Sequence, residues 1–159
     1  MYRIKLIIDH PLFSSYLEKN VKSESGRPFC KHNMEHFLDV ARIAYIINQE
    51  KSLDFDKEII YATALLHDIT KWKQYLDNEA HNVSAIRPAE LILKQSGFSS
   101  EEIKIISQAI LNHRTESIDE KSLDFLIYRS DKLSRPCFSC ENAKECNWSE
   151  KKKNLIIVY

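Results

Sequence analysis

The sequence predicts an all-α fold, and three observations carry that expectation. Only two glycines and four prolines occur, apolar residues recur at helical spacing through most of the chain, and helix-start signals precede those stretches. So few glycines and prolines leave few tight turns, and little material for a many-stranded sheet. With 159 residues, 43% of them hydrophobic, the chain has the size and apolar content of one domain, 1–159, with one substantial core. The expected architecture is a bundle of five to six helices, its core over about 30–135 and a cysteine-rich extension over 136–159. A small two-stranded ribbon from the two termini completes it.

In chain order, "YRIKLII" at the start and "NLIIVY" at the end are rich in β-formers and supply the ribbon. "HPLFSSYLEKNV" reads as a short amphipathic helix. From His36 to about Gln49, Val40, Ala41, Ile43, Ala44 and Ile47 fall at helical spacing, which predicts the first long helix. Asp56 is the expected N-cap of the next, which runs through "KEIIYATALL" into His67. A helix over about Ser84–Gln95 tolerates Pro88 only in its first turn, and Gly97 ends it as a left-handed cap. Ser99 and Glu102 form a capping box that opens a helix with Ile103, Ile106, Ala109 and Ile110 on its buried side. "LDFLIYRSDKL" makes the last, from about Ser122 to Leu133.

Charge and hydropathy remove several classes of function. Lysine plus arginine equal aspartate plus glutamate at 23 each, so no whole-molecule field favours long nucleic acid or an anionic membrane, and an anionic ligand must be held locally. Runs such as "AYII" and "TALL" are too short to span a bilayer, and no export signal is evident, so the chain is expected to be cytoplasmic.

The informative feature is a set of ionisable residues on apolar helix faces. His36 shares a stripe with Val40, Ala44 and Ile47. His67 and Asp68 follow Ala64, Leu65 and Leu66, at the end of the most apolar helix. His113 continues the register of Ile106, Ala109 and Ile110, and Asp131 lies four residues after Ile127. A single buried histidine needs only a hydrogen-bond partner. Several helices each carrying an unpaired polar group inward would cost several kcal/mol apiece, and a shared divalent cation offsets that for all of them. Imidazole and carboxylate suit iron, zinc or manganese, and Asp68, with two oxygens, is the natural bridge in a two-metal hydrolase geometry.

The ordered set His36, "LLHDITK", His81, "AILNH" and "DKLSR" resembles the HD phosphohydrolase superfamily, over about residues 30–135. The resemblance implies that His36, His67, Asp68 and Asp131 hold one metal and that His81 and His113 complete a second site, often for iron. In these features and in size the chain is similar to bacterial symmetrical diadenosine tetraphosphate hydrolases. The cyclic-dinucleotide branch is a poorer match, because its Gly-Tyr-Pro signature is absent. "HDITK" matches the HD-x-x-K form, which implies that Lys71 meets a substrate phosphate. The implied activity is hydrolysis of a phosphoester or phosphoanhydride in a nucleotide or similar small phosphorylated substrate, with Asp68 bridging metals and activating water.

Arg87, Lys132 and Arg135 are candidates to reach phosphates, with Arg135 preferred; Trp72, Tyr75 and Trp148 are candidates to stack a base. "CKHNMEH" also spells H-x-x-E-H, so a peptidase using His32, Glu35 and His36 is a competing reading, with His32 otherwise a contact at the rim of the site. A non-catalytic metal or nucleotide sensor with the same ligands is another. Cys137, Cys140 and Cys146 form C-x2-C-x5-C, which with Cys30 would make a four-thiolate structural zinc site; free thiols and an iron–sulfur cluster are the alternatives. Composition leaves open a homodimer through the terminal ribbon.

Overall fold

The computed structural model describes residues 1–159, and every regular element in it is a helix. In order these are α1 (Tyr2–Ile8), α2 (Pro11–Ser23), α3 (Met34–Glu50), α4 (Lys57–Leu66), α5 (Lys71–Asp77), α6 (His81–Ser84), α7 (Ile86–Gln95), α8 (Ser100–Asn112) and α9 (Leu123–Leu133). Two 3-10 turns follow, Cys137–Ser139 and Glu150–Lys152. No helix is long and apolar enough to cross a membrane.

The starts and stops are those that local chemistry dictates. Asn33 caps α3, Asp56 caps α4 and Ser122 caps α9, each side chain accepting a hydrogen bond from a first-turn N–H. The Ser99–Glu102 capping box is complete at α8, and Gly97 takes the left-handed conformation at φ +82° after α7.

α4 is apolar on nearly all sides and is buried accordingly. Ala62, Leu65 and Leu66 enter a core shared with α1, α2, α7 and α8, while Ile60 and Ala64 enter a second shared with α3, α8 and α9. Both cores therefore meet at α4, whose C-terminus delivers the residues that follow it into the centre of the molecule.

Two expectations are corrected. The termini form no ribbon: residues 2–8 are α1, because Ile4 and Ile7, one helical turn apart, are both buried in the core, and that burial overrides β-propensity. At the other end Leu155, Ile156, Ile157 and Val158 lie exposed without strand pairing. The expected helix over Ser84–Gln95 is broken at Ala85 into α6 and α7, with Pro88 in the first turn of α7, where its missing N–H costs nothing.

Candidate metal centre

Each inward-pointing ionisable residue is set by an element boundary or a packed stripe. His36 lies in the first turn of α3, below Asn33, whose side chain accepts from His36 N–H at 3.0 Å. His67 and His113 are the C-caps of α4 and α8. Their Nδ1 atoms sit 2.7 Å from the Ala64 carbonyl and 2.6 Å from the Ile110 carbonyl, each three residues back. That bond fixes Nδ1 as the protonated nitrogen and leaves Nε2 as the donor atom facing the centre. His36 Nδ1 is 3.1 Å from Ser134 Oγ, so its Nε2 also turns inward. His81 opens α6 with Nδ1 against the Gln74 side chain and Nε2 3.1 Å from His113 Nε2.

These residues meet in two groups joined at Asp68. The donor atoms of His36, His67, Asp68 and Asp131 all lie within 4.8 Å of one another, as do those of Asp68, His81 and His113. Asp68 Oδ2 is 3.2 Å from His67 Nε2 and 3.9 Å from His36 Nε2, while Oδ1 is 2.8 Å from His81 Nε2 and 3.4 Å from His113 Nε2. One carboxylate thus presents one oxygen to each group. His36 Nε2 lies 3.4 Å from Asp131 Oδ1. All six side chains are buried.

The electrostatics favour positive charge at this point. Against the opposing effect of burial, the neighbouring histidines hold the Asp68 carboxyl well below its ordinary range, and His67 with Arg135 and Lys132 does the same for Asp131. Burial pushes His36 well down, aided by the Arg135 charge, and pushes His81 down to about 4. His67 goes the other way, to about 9: burial lowers it, but Asp68 and Asp131 outweigh that. His36 and His81 are thus neutral beside ionised carboxylates, the protonation states a metal site requires, and His67 would release a proton on binding an ion. Moreover, His67 Nε2 and Asp68 Oδ1 are buried without a hydrogen-bond partner. Orphaned polar atoms of this kind are rare and costly, and a divalent cation in each donor group would satisfy one of them: His67 Nε2 in the first, Asp68 Oδ1 in the second. The residues present therefore fit such an ion.

A model of the HD domain matches residues 33–135 of the chain. The chain belongs to the HD domain family. The match runs from the N-cap of α3 to two residues past α9 and takes in His36, His67, Asp68, His81, His113 and Asp131. Along its whole length the chain is 50% identical, over 161 residues and 100% of both proteins, to an uncharacterized protein of Clostridium beijerinckii. No solved structure matches it. HD domains form a superfamily of metal-dependent phosphohydrolase type, and the donor chemistry above agrees with that.

The centre of this HD domain floors a cleft of about 890 Å³ whose walls include Lys71, Arg114, Lys132 and Arg135. Lys71 Nζ is 3.3 Å from His81 Nδ1, and Arg135 Nη2 is 2.9 Å from His36 Nε2 and 3.3 Å from Asp131 Oδ1. Trp148 also lines the cleft; Trp72 and Tyr75 do not. Trp72 packs edge-on against Tyr16 with ring centroids 5.6 Å apart, and Tyr75 donates to Glu24 at 2.6 Å.

Arg87 is corrected: it is exposed in the first turn of α7 and does not line the cleft, because the buried face of α7 is set by Ala89, Ile92 and Leu93. The H-x-x-E-H reading fails on local geometry. Asn33 starts α3 after His32, so His32 and His36 are not successive turns of one helix, and Glu35 is exposed. His32 is nonetheless buried, with Nε2 3.5 Å from Asp68 Oδ2.

Three buried supports have no counterpart in the sequence reading. Glu24, 1% exposed, accepts from His32 N–H at 2.6 Å and also bonds His32 Nδ1, aiming the ring at Asp68. Asn20 donates to the Asp68 carbonyl at 2.9 Å and accepts from Trp72 N–H at 2.9 Å, pinning the turn between α4 and α5. Thr70 donates to the His81 carbonyl at 2.9 Å. The available signal was weak: single polar residues on or beside helices, bonded to partners in other elements between 8 and 52 positions away. Arg114, directly after His113, was likewise missed.

Proposed function

We propose that this HD domain is a metal-dependent phosphohydrolase that cleaves a phosphoester or phosphoanhydride bond in a small phosphorylated substrate, a nucleotide foremost. The observation that carries the reading is Asp68, buried and shared, with one oxygen facing each donor group. His36, His67, Asp68 and Asp131 would hold one divalent cation, and Asp68, His81 and His113 a second; iron is the first expectation, manganese or zinc the alternatives. When bound, such ions supply Lewis acidity toward phosphoryl oxygens and lower the pKa of water.

The chain's own residues have separable tasks. Lys71 stands at the wall beside His81, where its ammonium meets a substrate phosphate oxygen; burial lowers its pKa, against the Asp68 charge. Arg135, held at the floor by bonds to the Lys31 carbonyl, His36 and Asp131, brings its positive charge toward a second phosphate oxygen, with Lys132 and Arg114 adding charge around the mouth. His32, held by Glu24 against Asp68, is placed to orient a water or a phosphate oxygen at the floor. These cations concentrate an anion locally in a protein of zero net charge.

The test is to purify the protein anaerobically, count metals, and assay phosphate release from phosphomonoesters, phosphodiesters and dinucleoside polyphosphates including diadenosine tetraphosphate. Release that requires metal and disappears in Asp68→Ala supports the proposal. Tight metal and nucleotide binding with no turnover across the panel would replace it with a sensor.

A further inference from the structure

All four cysteines of the chain line the same cleft, although Cys30 and Cys137 are more than a hundred positions apart in sequence. They are half-buried and none is in a disulfide. Burial pushes the Cys30 thiol up; the Arg135 charge opposes that, and Cys137, Cys140 and Cys146 add to it, so each of the three lies within electrostatic reach of Cys30.

The segment that carries three of them lacks the means to hold itself in place. No residue from 136 to 159 is buried, and its only regular structure is two 3-10 turns. It is tied to the domain by few polar bonds: Asn142 donates to the Pro28 carbonyl at 2.9 Å, Asn154 to the Lys132 and Arg135 carbonyls at 2.6 and 2.9 Å, and the Tyr159 hydroxyl to Glu50 at 2.9 Å. A stretch without a core of its own needs a covalent or metal staple to keep one conformation.

The spacing of the thiols selects the staple. One zinc ion with Zn–S bonds of ~2.3 Å draws four sulfurs to within about 3.8 Å of each other. The only sets of three or more donors within 4.8 Å of one another are the two His/Asp groups; no three thiols approach that closely. An iron–sulfur cluster gives each thiolate its own iron or shares two irons among four, and so spreads the ligands around a wider centre. The C-x2-C spacing of Cys137 and Cys140 is also found among cluster ligands.

We infer that Cys30, Cys137, Cys140 and Cys146 ligate an iron–sulfur cluster that fastens the C-terminal extension to the loop before α3. Cys30 stands two residues before His32, and Cys137 two residues after Arg135. The cluster therefore anchors both segments that bring these side chains to the floor of the cleft. It stands independently of whether the His/Asp centre turns over a phosphoester.

The test is reconstitution of the full chain with ferric iron, sulfide and dithiothreitol under anaerobic conditions, followed by desalting and measurement of iron, acid-labile sulfide and visible absorption. Labile sulfide is the decisive readout, because iron at the His/Asp centre brings none. Expected are roughly equimolar cluster iron and sulfide, a broad visible band bleached by dithionite, retention of both in Asp68→Asn, and their loss in Cys140→Ser and Cys146→Ser. Should the serine variants misfold by circular dichroism, the wild-type sulfide content still decides. One zinc per chain without sulfide would overturn the inference, as would four thiols that all react with a thiol reagent after reconstitution.

Discussion

Asp68 faces two ways, and its substitutions should separate from those of its neighbours. Asp68→Asn keeps the volume but removes the charge shared by both groups, so metal bound to the His/Asp centre should fall at both positions and phosphate release by on the order of 10³-fold. His113→Ala touches only the second group and should leave one ion of two, read by metal analysis of the same preparation. Glu24→Gln tests a support rather than a ligand. It keeps a bond to His32 N–H but loses the charge beside the ring, and should lower kcat/KM about 10-fold with metal content unchanged; a matching loss of metal would show that Glu24 acts on the centre itself. At this scale the sequence was legible where polarity contradicts periodicity, as at His36, His113 and Asp131. His81, which precedes the helix expected from Ser84, is 3% exposed at the head of α6. Glu24 and Asn20 were illegible because their partners lie in other elements, up to 52 positions away for Asn20.

Among the elements, α4 carries the most consequence. Leu65 is fully buried in the core that also receives α1, α7 and α8, so Leu65→Ala should cost about 2–5 kcal/mol in urea unfolding. The bundle's helices were largely legible because caps and stripes are local: Asp56, Ser99, Gly97 and Ser122 do what their positions require. α1 was not, because its β-forming residues become helical only when Ile4 and Ile7 find a core to enter. Arg3 then ties α1 to α4 and α8, its side chain bonding Glu58 at 2.6 Å and Glu102 at 2.8 Å. Partial burial opposes it, but the hydrogen bonds these glutamates receive, Arg3 prominent among the donors, hold both below their ordinary 4.5. A lowered folded pKa gives stability that is present above the ordinary value and is lost as pH falls through it and through the folded value. Arg3→Met should therefore destabilise by about 1–2 kcal/mol at neutral pH, with the gap to wild type closing below about pH 4 in urea titrations.

At the scale of the molecule, two cores converge on one helix end and a positively lined cleft opens above it. With no net charge overall, any attraction of an anionic substrate is local, so KM for a phosphorylated substrate should rise with ionic strength while kcat stays nearly constant. Lys71→Ala should raise KM and weaken that salt dependence. The family match begins at residue 33, yet Asn20 and Glu24, which hold the Asp68 turn and the His32 ring, lie upstream of it on and just after α2. Every candidate ligand of the His/Asp centre falls inside the matched boundary, and part of the scaffold that aims those ligands falls outside it. A boundary drawn by family resemblance and one drawn by mechanical dependence therefore disagree here. Trimming the chain to 33–135 would retain the six His and Asp donors while removing the Asn20 restraint on the Asp68 turn and deleting His32 together with its Glu24 support.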